Sequence, residues 1–245
     1  EETADAVRPV LCGEFHIADG YDGKAIRFES VELNGQSEKY GFAMQLKNGG
    51  TEAKTVESIV FKNCTITAYS KGLMYEWGKT LTTDKLEWDG CAIYDINKTG
   101  TSGDGIDLRA ASAIGVLNVV NNTIYNSFRS VIRMDNPVKV GDLNVTNNTM
   151  MNLSPIENKD NQGILGLKNS PDAVNFKNNI LLNMAGHAVL VGATSTVEAE
   201  KLKFANNHYF GIAEESVFFT ETFTKDDAIA SGGSVLAADP CYNSK

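Results

Sequence analysis

Charged side chains recur at alternate positions in four short segments. "GIDLRA" begins at Gly105, "SVIRMDNP" at Ser130, "GILGLKN" at Gly163 and "GLMYEWG" at Gly72. Neighbouring side chains of an extended strand point to opposite faces. With Ile106 and Leu108 inward, Asp107 and Arg109 point outward; with Ile132 and Met134 inward, so do Arg133 and Asp135. Leu165 and Leu167 inward leave Lys168 outward, and Leu73 and Tyr75 inward leave Glu76 outward. Glu76, Asp107, Arg109, Arg133, Asp135 and Lys168 then form one strip of mixed charge. Its cations can neutralise an anionic ligand, and its carboxylates can exchange protons. The same alternation also suits a sheet whose charges only keep its outer face wet. Trp77 stands at a strand end, where an indole can stack on a sugar ring.

Such a strip requires strands stacked in register, and the sequence carries a repeat that stacks them. "IRFESVEL" starts at Ile26, "IVFKNCTI" at Ile59, "LEWDGCAI" at Leu86 and "LNVVNNTI" at Leu117. "LNVTNNTM" follows from Leu143, "VNFKNNIL" from Val174 and "LKFANNHY" from Leu202. Alignment puts Ser30, Asn63, Gly90, Asn121, Asn147, Asn178 and Asn206 in one column. Phase is kept while unit length varies, so insertions belong in loops. Apolar residues alternate before the asparagines (Leu117 and Val119, Val174 and Phe176) and recur after them (Ile124, Leu181). A third segment, often led by Gly, completes each unit. Three short strands per unit, without helical periodicity, predict an all-β solenoid of parallel strands, a β-helix. Seven units stacked at about 4.8 Å make a rod on the order of 34 Å long.

The asparagines have a structural use at the bend between two strands. An inward amide can hydrogen-bond the bend and the equivalent amide one coil away. The predicted ladder comprises Asn63, Asn121, Asn147, Asn178 and Asn206, with Asn122, Asn148, Asn179 and Asn207 in the next column. That second column also holds Cys64 and Cys91, which become neighbours on adjacent coils. In-register parallel neighbours have poor disulfide geometry, so both are expected as buried free thiols. Cys12 and Cys241 fall at opposite ends of the rod. Sequons occur at Asn63, Asn97, Asn121, Asn144, Asn147 and Asn152; three lie in the first ladder column, where a glycan is not expected to fit.

The formal charge of −9 and the scattered lysines and arginines argue against a nucleic-acid partner. No apolar run is long enough to span a bilayer, and no zinc-spaced Cys/His cluster occurs.

The unit "LxVxNNxIxN…GIxL" resembles the right-handed parallel β-helix proteins of the pectate lyase superfamily, over roughly residues 12 to 220. More narrowly, the chain is similar to β-helix domains of secreted or surface lipoproteins of glycan-degrading gut bacteria. Chondroitinase B and the alginate lyases are more distant relatives. The resemblance implies one right-handed parallel β-helix domain over residues 1–223, with 224–245 as its C-terminal capping segment. It implies a bacterial protein that is secreted, periplasmic or on the outer cell surface, with a further domain upstream of this chain. In that superfamily the asparagine bend joins the second and third strands of a coil, so the Gly-led segments are first strands. Lyases of this shape hold uronate chains on the outer face of that first sheet.

The expected function is therefore polysaccharide binding along the first sheet, through Glu76, Trp77, Asp107, Arg109, Arg133, Asp135 and Lys168. The enzymatic alternative is a lyase on a uronate-containing glycan, with Arg109, Arg133 and Lys168 as catalytic candidates. Such an enzyme must neutralise the carboxylate, remove the C5 proton and protonate the leaving oxygen. Calcium assists many of the relatives, but only Asp107, Asp135 and Glu76 are at hand to hold it. The order of cations also departs from the chondroitinase pattern, because the arginines come first. Asp104 and Asp107 in "GDGID" are the nearest approach to the paired aspartates of β-helix hydrolases. A structural or adhesive spacer is the third alternative.

Overall fold

The computed structural model describes residues 8–46, 53–76, 80–97, 103–135, 137–153, 164–183, 198–210 and 225–235. Within them the chain winds as a parallel β-solenoid of three sheets, with almost no helix. The Gly-led segments form a six-stranded first sheet, from Phe15–Ile17 to Leu165–Leu167. The segments before the asparagine bend form a seven-stranded second sheet, from Asp22–Glu29 to Leu202–Ala205. Those after the bend form a nine-stranded third sheet, from Val10–Cys12 to Ser234–Val235. The seven aligned units supply the seven strands of the second sheet. Six successive coils carry all three strands, so five full turns separate the ends of the first sheet. No helix among the described residues is long and apolar enough to cross a membrane.

The core is a set of stacked columns, because register places each inward residue on its counterpart one coil away. Ile59, Leu86, Leu117, Leu143, Val174 and Leu202 are successive partners. Phe61 pairs with Trp88, whose ring lies 5.0 Å from it at 9°, and Phe28 stacks on Phe61 at 5.0 Å. Trp88 is thus core, as its alignment with Phe61 indicates. Burying such a ring contributes about 2–3 kcal/mol relative to leaving it exposed.

Both asparagine columns exist, but they divide the work differently from expectation. Asn63, Asn121, Asn147, Asn178 and Asn206 have φ of 51–59° and exposed side chains. They turn the chain through the left-handed region, which Asn tolerates far better than most residues. Their amides still form an outer ladder: Asn147 donates to Asn121 at 3.2 Å, Asn178 to Asn147 at 3.0 Å and Asn206 to Asn178 at 3.2 Å. The inward ladder is the second column, Asn122, Asn148, Asn179 and Asn207, each no more than 1% exposed. The sequons at Asn63, Asn121 and Asn147 therefore lie on the surface, contrary to the expectation of a column too crowded for a glycan. Gly90, at φ 65°, takes the bend position where a Cβ would stand 2.6 Å from the Asn63 side-chain oxygen.

Cys64 and Cys91 are free, buried and stacked on adjacent coils, as expected. Each thiol points at coil carbonyls: Cys64 at Phe28 and Lys62, Cys91 at Phe61 and Asp89. Cys241 lies outside the described residues. The winding reaches further than its sequence signature. After a short helix, Lys225–Ala230, Gly232 takes the bend at φ 86° and Ser234 pairs with His208.

Candidate functional site

Register in the first sheet decides which side chains line its outer face. His16, Gln45, Tyr75, Asp107, Arg133 and Gly166 are successive partners in one outward column. The adjacent column holds Ile17, Leu46, Glu76, Leu108, Met134 and Leu167, and it faces the core. Glu76 is therefore inward and fully buried, and Tyr75 is outward, the reverse of the parity expectation. The cause is a one-residue offset. Met74, not Leu73, stands opposite Ile106, and a slip of one residue reverses every side chain of a strand.

Glu76 is satisfied where it lies. It accepts hydrogen bonds from the backbone N–H of Arg109 (3.1 Å) and Ala110 (3.2 Å) and from the Ser112 hydroxyl (2.7 Å). Burial pushes its carboxyl above the usual range, against the pull of those donors. A buried carboxylate thus fixes the turn that carries Arg109 on the next coil.

Outside, the charges form a connected network. Arg109 clamps Asp107 with two hydrogen bonds of 2.7 and 2.6 Å, through Nε and Nη2. Arg129 reaches Asp104 at 2.8 and 3.3 Å. Arg133 lies between Asp104 (3.4 Å) and Asp135 (3.1 Å), with Asp107 at 3.9 Å. Lys168 meets the other Asp135 oxygen at 3.1 Å. Four cations thus interleave with three carboxylates, a local excess of positive charge on an acidic protein.

Burial sets the state of these groups. Asp107 is 2% exposed, and burial, with the Asp104 charge, raises its carboxyl against the pull of Arg109 and Arg133. Burial opposes ionisation of Asp135 too, but Lys168 and Arg133 outweigh it and hold the carboxyl below the ordinary value. Asp107 in turn raises the Arg109 guanidinium.

A cleft of about 420 Å³ opens over this network. Phe42 and Tyr75, stacked at 4.8 Å and 11°, supply its aromatic side. Arg109 sits over the Tyr75 ring at 5.6 Å, and Asp107 and Arg129 complete the charged floor. Gln45 and Lys71 stand at the rim. Among the described residues no three His, Cys, Asp or Glu side chains converge as a metal site.

The structure thus brings Asp107, Arg109, Arg133, Asp135 and Lys168 together and removes Glu76 from their face. Trp77 and most of the loops after Asn97 and Leu153 lie outside the described residues. Phe42, Asp104 and Arg129 complete the site. Arg129 lies on a connection rather than a strand, so alternation gave it no side.

A family model described as "Domain of unknown function (DUF4957)" matches residues 3–127, just over half of the chain. The chain belongs to this family. The DUF4957 match includes Phe42, Tyr75, Asp104, Asp107 and Arg109, whereas Arg129, Arg133, Asp135 and Lys168 follow its end. The cleft is thus assembled across the boundary of the matched region. No curated protein and no solved structure matches the chain.

Proposed function

We propose that this DUF4957 protein binds a polysaccharide in the cleft on the outer face of its first sheet. The observation that carries this reading is the Phe42–Tyr75 stack beside the Arg109–Asp107 clamp. The partly exposed Tyr75 ring, backed by the buried Phe42, takes the apolar side of a sugar, while Arg109 takes hydroxyl or carboxylate groups and Asp107 takes hydroxyls. The resemblance to β-helix proteins of the pectate lyase superfamily supports the same sheet, and with it a bacterial protein outside the cytoplasm.

Binding is favoured over lysis. Arg109 would have to lose a proton to act as the base, and the Asp107 carboxylate clamped to it opposes that loss. Burial also raises the Tyr75 phenol, which disfavours a phenolate base.

Affinity electrophoresis through gels cast with uronate polymers, with and without calcium, tests the reading. Retarded migration without unsaturated product supports binding, and unsaturated product moves the assignment to a lyase. Retardation that survives in both Arg109→Ala and Arg133→Ala removes the cleft from consideration.

A further inference from the structure

A second concavity lies on another sheet and is unused by the cleft. In every long strand of the second sheet the pairing passes over a position, although register is kept on either side. Asp22 and Gly23 pair with Thr55 and Val56, but pairing resumes at Ala25 and Ser58, so Lys24 and Glu57 are passed over. Asp84, Gly115 and Gly141 are passed over in the same way on the following coils. These positions align from coil to coil and line a concavity on the outer face. Two cavities of about 420 and 510 Å³ fill it, and they share Thr82, Thr83 and Asp84 as lining residues.

The lining is polar and built from the repeat. Thr55, Thr82, Ala113 and Lys139 are successive outward partners along one wall. Gly115 and Gly141 leave no side chain on the floor, where the coils pack so closely that a Cβ at either would stand 2.7 or 2.5 Å from a carbonyl of the previous coil. The outward position recurs at the ~4.8 Å strand spacing, close to the length of one sugar in an extended chain. The charges decide the class of ligand. Asp22, Glu57, Asp84 and Asp172 outnumber Lys24 and Lys139, so a polyanion is repelled. A peptide adding as a strand needs a sheet edge, and this groove crosses a sheet face.

We propose that the groove binds an uncharged linear polysaccharide lying parallel to the stack of coils. Hydroxyl donors on the sugars meet the threonines and aspartates, and the open glycine floor admits the rings.

The test is affinity electrophoresis through gels containing mannan, xyloglucan, β-1,3-glucan or starch. The wild-type chain is expected to be retarded by at least one of them, with little change as salt rises. Ala113→Trp fills the groove from an exposed position, and Thr82→Trp does so one coil earlier. Each is expected to weaken retardation about tenfold or more while Arg109→Ala leaves it intact. An unchanged urea midpoint shows that a variant is folded; if one variant unfolds, the other is read. No retardation in any gel, or retardation that survives in the folded Trp variants, overturns the proposal. Loss in Arg109→Ala also overturns it, because the ligand would then sit in the first-sheet cleft.

Discussion

The Asn148 side-chain oxygen accepts two hydrogen bonds from Asn122 on the neighbouring coil, one from its backbone N–H at 2.9 Å and one from its amide at 3.1 Å. Asn148 in turn donates to the Val119 carbonyl at 2.8 Å and to the Asn179 side chain at 3.1 Å. Each inward amide therefore holds the bends of two coils together, where it is at most 1% exposed to solvent.

Loss of an inward amide is thus expected to cost far more than loss of an outward one. Asn148→Leu leaves the Asn122 N–H and the Val119 carbonyl without partners and should cost about 3 kcal/mol. Asn147→Gly keeps the left-handed bend and should stay within about 0.5 kcal/mol of wild type. Urea denaturation of the two variants checks this, and equal losses would contradict the division between inward and outward columns.

Glu76 gives the stability a pH dependence of known sign. Its folded carboxyl lies above the ordinary value, so its contribution is fully present below the unfolded pKa. It is lost as pH rises through the folded pKa, because ionisation is then opposed by burial. Glu76→Gln cannot ionise, so its stability relative to wild type should improve as pH rises from acid to neutral. Urea midpoints across that range read the effect. A difference independent of pH would show that Glu76 titrates normally.

The cleft should bind with a measurable ionic component. Tyr75→Ala removes the aromatic face and is expected to weaken glycan affinity about tenfold, or ~1.4 kcal/mol. Raised salt should weaken binding of an acidic glycan further, since Arg109 and Lys168 are partly exposed. Titration calorimetry at two ionic strengths measures both effects.

The stacked thiols should stay reduced and unreactive in the native protein. The neighbouring Cys64 sulfur and burial raise the Cys91 thiol, and the same contact lowers the Cys64 thiol to about 7, so it is burial that keeps reagent from Cys64. Alkylation followed by mass spectrometry should label Cys64 and Cys91 only after unfolding. Rapid native labelling, or a disulfide between them, would place the coils differently.

The fold was legible because its strongest constraint acts on residue type at fixed phase. Only a few residues tolerate the left-handed bend, and the column of Asn, Gly and Ser records it. Which asparagine faced inward was not legible, since both columns are asparagine over Asn121–Asn122 and Asn147–Asn148. The site was half legible. Asp107, Arg109 and Arg133 followed from strict alternation, whereas "LMYE" suits either parity, and only pairing of Met74 with Ile106 sends Glu76 inward. Arg129 and Phe42 were missed for different reasons. Arg129 sits on a connection, and Phe42 reads as an ordinary core residue until its stacking on Tyr75 is seen.

A crystal structure with an oligosaccharide from the most strongly retarding uronate polymer tests the binding assignment most directly. The assignment predicts a sugar ring against the exposed part of Tyr75, with its polar edge on Arg109 or Arg129. Ligand density elsewhere on the molecule, with none at Tyr75, would contradict it.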